Sequence, residues 1–369
     1  MSALFSNLMI LGTTAPVSDS SSPIPVAEDG FATARASRTD GLARPKAALI
    51  VRPLHADSVY PPTARARAGE LAQLLPVTET LDPGWRDVEV VIGGWGMPVL
   101  DADFLNRAPK LKAVFYAAGS VRGFMTDAAW ERGIVVSTAA AANSATTAEF
   151  CVGEIIFSLK HGWRFVRDAR AGWRTAYHYL PLVPGLVGSR VGLVSFGRVA
   201  QRVAELLRPF AMEVVAWDPV QPRATFDRLG VCAVELDTLL ATSDVVSLHV
   251  PQLAETNRLI DARRLALLKP GATLINTSRG DVLDERALIA LLTRREDLTA
   301  VLDVTDPEPP APESPLFNLP NVVMTPHLAG SYGPECARMG TLALDELERW
   351  IEGRPLQHAI TREQAAMMA

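Results

Sequence analysis

Residues 188–200 read GSRVGLVSFGRVA, and the strand-like run at 213–218 reads EVVAWD. The first segment passes from an apolar run through a tight turn into a helical pattern. A dinucleotide-binding turn of the form G-x-G-x-x-G/A needs small residues at three places, and here they are Ser195, Gly197 and Ala200. Gly197 is the demanding position, because a side chain there would keep the backbone away from a pyrophosphate. A helix opening at Arg198 and Val199 would aim its free amides and positive dipole end at that diphosphate. Ser195 departs from the expected first glycine, which bears on the turn geometry and not on the fold. Asp218 ends the next strand, 21 residues beyond Gly197 (218 − 197), against about 20 for an acid that binds ribose hydroxyls. A carboxylate there would repel a 2′-phosphate, so NAD is expected in preference to NADP. Taken singly, the glycine pattern is a weak signal, and Asp218 reads as a solvated acid opening the turn at Pro219. The strand–turn–helix–strand order joins them.

The same alternation extends both ways along the chain. Strand-like runs at 46–52, 88–92, 111–116 and 134–137 form one set. Runs at 190–195, 213–217, 245–249, 273–277, 299–304 and 322–325 form a second. Helix-like stretches lie between them, among them 63–75, 100–108, 126–132, 199–207 and 284–293. Strand alternating with helix predicts an α/β protein with two doubly wound parallel sheets, each covered on both faces. Helical patterns at 146–160 and 163–170 join the two sets, and a last helix at 334–352 is stopped by Gly353 and Pro355.

Composition agrees. A length of 369 residues corresponds to about two domains at roughly 150 residues each. Hydrophobic residues make up 48% and charged residues 21%, enough for a core and too apolar for a disordered chain. The net charge of −5 lacks the basic excess of a nucleic-acid binder. No apolar run reaches the ~18 residues of a membrane span. The three cysteines, Cys151, Cys232 and Cys336, are far apart and form no C-x-x-C pair. Neither a disulfide framework nor a metal site is expected, and a reducing, cytoplasmic setting fits. Residues 1–44 are rich in Ser, Thr, Ala and Pro, and their first basic residue is Arg35. The apolar run at 4–11 lacks the basic start of an export signal, so a loose tail is the expectation.

Three late segments carry the chemistry: LINTSRGDVLD at 274–284, LDVTDPEP at 302–309 and MTPHLAG at 324–330. Each follows a strand of the second set and so falls at the carboxyl edge of its sheet, where ligands bind in such folds. Arginine in N-x-S-R-G, glutamate in a P-x-E-P-like segment and histidine in T-P-H occur in that order. On these residues the chain resembles the D-isomer-specific 2-hydroxyacid dehydrogenases over about 45–355. Segment 110–134, KLKAVFYAAGSVRGFMTDAAWERGI, resembles the family's substrate loop, and ANSATTAE at 142–149 its domain-crossing helix.

The resemblance implies a hydride transfer between NAD(H) and a D-2-hydroxy acid/2-oxo acid pair. Arg279 would clamp the substrate carboxylate, which suits the guanidinium fork. His327 would be the general acid/base, protonating the alkoxide that reduction generates. Glu308 would orient the His327 ring and favour its protonated form. The amides of Gly119 and Ser120 would bind the same carboxylate, Trp95 would face the substrate side chain, and Asp303 would hold the nicotinamide carboxamide. Thr147, His249, Val250, Pro251, Thr256, Thr277 and Gly330 would complete the cofactor site. Arg122 stands where many members carry aspartate, either adding positive charge at the substrate mouth or facing solvent. The implied architecture is a flavodoxin-like substrate domain, 45–143 with 331–360, a Rossmann domain at 144–330, and a cleft between them. The 146–170 region resembles a dimerisation arm, implying a homodimer.

Alone, Arg279 reads as a turn residue, Glu308 as surface charge, His327 as a strand-end cap and Trp95 as a core residue. Their order after three separate strands favours the site. Two rival functions share the fold: an NAD-responsive corepressor, and a formate or phosphite dehydrogenase. The formate enzymes carry glutamine where Glu308 stands. The triad does not specify which 2-oxo acid is used.

Overall fold

Two runs of parallel strands organise the chain. The computed structural model describes residues 44–75, 83–172 and 180–368, all within one unit, Gly41–Ala369. The first sheet contains β1 (Lys46–Ile50), β2 (Gln73–Leu74), β3 (Val90–Gly93), β4 (Ala113–Tyr116) and β5 (Val135–Thr138), ordered β2-β1-β3-β4-β5. The second contains β6 (Arg190–Val194), β7 (Glu213–Trp217), β8 (Cys232–Ala233), β9 (Val245–Leu248), β10 (Thr273–Asn276), β11 (Thr299–Leu302) and β12 (Val322–Met324). Its order is β12-β11-β10-β9-β6-β7-β8. All the ladders are parallel, with registers such as Ala47↔Val90 and Val191↔Val245. The first order is flavodoxin-like, and the second is the doubly wound dinucleotide order with one added strand.

Every residue of β3, β4, β9 and β10 is buried, as parallel strands covered on both faces require. Successive side chains enter opposite cores: Leu274 and Ile275 on β10 join different clusters, as do Val114 and Phe115 on β4. Gly192 lets the helix Leu236–Thr242 rest directly on β6, because a Cβ there would lie 2.4 Å from Leu239 Cδ2.

The helix Cys336–Ile351 returns to the first sheet. It buries Met339, Ala343, Leu344 and Leu347 in the cluster that also holds Val90, Ile92 and Phe115. Burial of each larger apolar side chain contributes about 1.5–3 kcal/mol. Gly340 permits the approach, since a Cβ there would lie 2.0 Å from the Val59 carbonyl oxygen. The return continues past 360: Ala365, on the helix Arg362–Ala366, joins the other core of the same sheet.

Local differences from the sequence expectation have local causes. The helix expected over 63–75 ends at Leu71, and β2 follows it; β8 was likewise not expected. Two-residue strands are too short to show a period. The central helix starts at Ala140 and runs to Leu159, because an alanine run extends it where no side-chain cap marks a start. Arg44, the last residue of the expected tail, donates to the Gly69 and Ala72 carbonyls. The rest of that tail lies outside the described residues. Among the described residues no helix is long and apolar enough to cross a membrane.

Candidate active site

His327 lies just beyond β12 with a left-handed φ of 54°, a region that costs an ordinary residue of order 1–2 kcal/mol. The buried carboxylate of Asp303 holds the loop in place. Its Oδ1 accepts from Thr325 Oγ1 at 2.6 Å and Leu328 N at 2.8 Å, and its Oδ2 accepts from Ala329 N at 2.9 Å. The His327 amide donates to the Asp303 carbonyl at 2.9 Å, and Tyr332 Oη donates to the His327 carbonyl at 3.0 Å. The ring is fixed by Glu308, whose Oε1 lies 2.6 Å from His327 Nδ1. That contact leaves Nε2 as the nitrogen available to a substrate.

Arg279 follows β10 in a turn organised by Asn276. The Asn276 amide donates to the Arg279 carbonyl at 2.9 Å, and its oxygen accepts from Ser278 N at 3.0 Å and Ser278 Oγ at 2.8 Å. Gly280 brings this turn against the segment leading to Glu308: a Cβ on it would lie 2.0 Å from the carbonyl carbon and oxygen of Thr305. Burial lowers the pKa of the Arg279 guanidinium, while Glu308 and Asp281 raise it and Arg122 adds to the fall. It stays charged all the same, since arginine does not deprotonate in proteins.

A cavity of about 520 Å³ brings most of the expected groups together. Trp95, Gly119 and Ser120, after strands of the first sheet, share its wall with Arg279, His327, Thr147, Thr277, Asp303 and Gly330. Asp303, assigned to the carboxamide, already accepts three hydrogen bonds of the roughly four a carboxylate can take. Arg122 does not border the cavity. Its Nη1 donates to the Gln252 carbonyl at 2.7 Å, and Gln252 Nε2 donates to Asp281 Oδ2 at 2.9 Å. Arg122 thus links the first domain to the loop after β9.

The dinucleotide half lies at the edge of β6, β7 and β9. Ser195 adopts the left-handed φ, 68°, that a glycine would supply, and its hydroxyl donates to Asp218 Oδ2 at 3.1 Å. Gly197 caps the helix Arg198–Leu207, which carries Val199 in its first turn, and an added Cβ on Gly197 would meet no protein atom within 4 Å. Its smallness therefore answers to something other than protein packing, as a diphosphate cradle would. Asp218 also accepts from Phe196 N at 2.7 Å, Val220 N at 2.9 Å and Gln221 N at 3.0 Å. It is a staple of the turn, so ribose hydroxyls would have to share or replace these donors. His249 Nε2 is buried without a hydrogen-bond partner among the described residues, and burial lowers the ring pKa to about 4. Pro251 follows Val250, whose side chain belongs to the core, and the Thr256 hydroxyl donates to the Pro251 carbonyl at 2.6 Å. Their side chains shape the loop, and none of His249, Val250, Pro251 and Thr256 borders the cavity.

Motif reading missed Arg52, His55, Ser58, Tyr116, Asn143 and Tyr332, which also border the cavity. Position was the only signal: Arg52 follows β1 and Tyr116 ends β4, both at the carboxyl edge of the first sheet.

Known proteins of similar sequence and fold identify the family. Residues 152–329 match the model described as the NAD-binding domain of D-isomer-specific 2-hydroxyacid dehydrogenases. A D-3-phosphoglycerate dehydrogenase of Archaeoglobus fulgidus is 32% identical over 261 residues, covering 71% of this chain and 49% of that protein. A glyoxylate reductase of Korarchaeum cryptofilum is 32% identical over 268 residues, covering 72% of this chain and 80% of that protein. The crystal structure of the TT0316 protein from Thermus thermophilus is similar at a TM-score of 0.67 and 31% identity, covering 85% of this chain and 100% of that one. The chain spans about half the length of the phosphoglycerate dehydrogenase it matches. With a relative matched over most of its length and two parallel-sheet domains in the same arrangement, the chain belongs to the D-isomer-specific 2-hydroxyacid dehydrogenases.

Proposed function

We propose that the protein reduces a 2-oxo acid to a D-2-hydroxy acid with NADH, and catalyses the reverse with NAD. The supporting observation is the 2.6 Å contact of Glu308 with His327 Nδ1, beside a cavity that Arg279 also borders. Bound NADH supplies the hydride to C2. Arg279 and the Gly119 and Ser120 amides hold the carboxylate and present the oxo group to His327. His327 Nε2 gives its proton to the oxygen as negative charge develops there, and Glu308 stabilises the ring while it is protonated. In oxidation His327 takes the proton back.

The residues divide into a substrate domain, 45–143 with the returning segment from 331, and a cofactor domain, 144–330. A homodimer through the helical region 146–170 fits the exposure of Phe157 and Val166. A cytoplasmic setting fits the three free cysteines. The test is NADH oxidation against a panel of 2-oxo acids. Wild type should reduce at least one of them, and His327→Ala should lose about 10²–10⁴-fold in kcat while still binding NADH. An intact NADH complex that reduces none of the panel would reject the reading and favour a corepressor role.

A further inference from the structure

The first domain gives the cavity Arg52, His55, Ser58, Trp95 and Tyr116, besides the Gly119–Ser120 amides. No leucine, isoleucine, valine, methionine or phenylalanine among the described residues borders it. A hydrocarbon side chain is ordinarily received by an apolar wall, and binding sites in general are mostly apolar with a few placed polar groups. This wall reverses that proportion.

Its polar groups are also available. Among the described residues the Arg52 guanidinium and the Tyr116 hydroxyl have no hydrogen-bond partner. Tyr116 is only 7% exposed overall and borders the cavity. Burial pushes its pKa up to about 12, so it remains a neutral O–H donor at working pH. Trp95 is held beside the ring of His55, with centroids 4.8 Å apart, and offers a flat face. Among the described residues Asp303 is the only carboxylate on the wall, and its oxygens are engaged by the His327 loop. The open positions are therefore rich in donors, which suits a ligand rich in acceptor oxygens.

We propose that the substrates are 2-oxo acids whose carbon chain bears hydroxyl groups beyond C2, held by Arg52 and Tyr116 against the face of Trp95. This rests on the dehydrogenase reading above and specifies the substrate class of that same site. Arg52 and Tyr116 act on the side chain of the substrate, while Arg279 and His327 act on its C1 and C2 groups.

The test uses pairs matched in length: hydroxypyruvate against 2-oxobutanoate, and 2-oxogluconate against 2-oxohexanoate. A site that hydrogen-bonds a substrate hydroxyl rejects the analogue lacking it strongly, so kcat/KM should favour the hydroxylated member of each pair by about tenfold or more. Arg52→Met and Tyr116→Phe should each reduce that ratio several-fold, with folding checked by the thermal midpoint. A second readout is independent of turnover: D-glycerate and D-2-hydroxybutanoate are titrated into the NADH complex, followed by nicotinamide fluorescence. Tighter D-glycerate binding is expected. Reduction of all four oxo acids at comparable kcat/KM, or a preference for the hydrocarbon members, would overturn this inference and leave the dehydrogenase reading standing. Selective binding of D-glycerate without any turnover would do the opposite. Equal binding of the two hydroxy acids without turnover would reject both.

Discussion

His327 holds its ring in place through two different carboxylates. Asp303 fixes the backbone loop, and Glu308 fixes the imidazole. Removing the second should therefore disturb the ring without disturbing the loop. Glu308→Gln is expected to retain more reduction activity than His327→Ala and nearly the wild-type thermal midpoint. Its deficit should fall on kcat and leave NADH binding intact, because a neutral partner orients the ring but offers no charge to the proton donor. A kcat equal to that of wild type, measured on the two proteins side by side, would count against the assigned role. Asp218 is a different case, since one carboxylate staples the turn through four donors and, on the proposed cofactor reading, would also repel a 2′-phosphate. Asp218→Asn should narrow the preference for NADH over NADPH, read as the ratio of kcat/KM values. It should also lower stability by about 1–2 kcal/mol, as weakened hydrogen bonds to a charged group would. An unchanged cofactor ratio would remove Asp218 from the ribose site.

Among the elements, one close junction is where the turn after β10 meets the segment after β11. Gly280→Ala would place a methyl carbon 2.0 Å from the Thr305 backbone, so Arg279 and Glu308 could not both keep their places. We expect a loss of about 1–3 kcal/mol in stability, as for other overpacked sites, together with a larger loss in kcat. Denaturant unfolding and steady-state rates on the same preparation check the pair of effects. The sequence already contained this turn as N-x-S-R-G, and the carboxyl ends of β10, β11 and β12 brought Arg279, Glu308 and His327 together as their order implied. The wall from the first domain was legible only in part: Trp95, Gly119 and Ser120 were expected there, whereas Arg52, His55 and Tyr116 share no spacing and meet only through the parallel register of β1, β3 and β4. Arg122 was legible as a departure but not in its role. Its partner, the Gln252 carbonyl, is a backbone atom and leaves no trace in residue type. The two-residue strands β2 and β8 escaped because a period needs several residues to show.

For the whole molecule, the first domain is built from both ends of the described chain. Met339, Leu344 and Leu347 cover one face of its sheet, and Ala365 touches the other. Ending the chain at residue 335 should leave that sheet with an uncovered apolar face. The fragment is expected to bind an apolar dye and to aggregate, and a monomeric fragment with full thermal stability would contradict this. The same connectivity imposes an order on biosynthesis. Domains ordinarily fold as units as they leave the ribosome, amino-terminal first. Here the segment that emerges first cannot close its core until the helix Cys336–Ile351 has been made, so the dinucleotide-binding half can mature while its elder neighbour waits. During translation that apolar sheet face stays open to water until the last helix arrives.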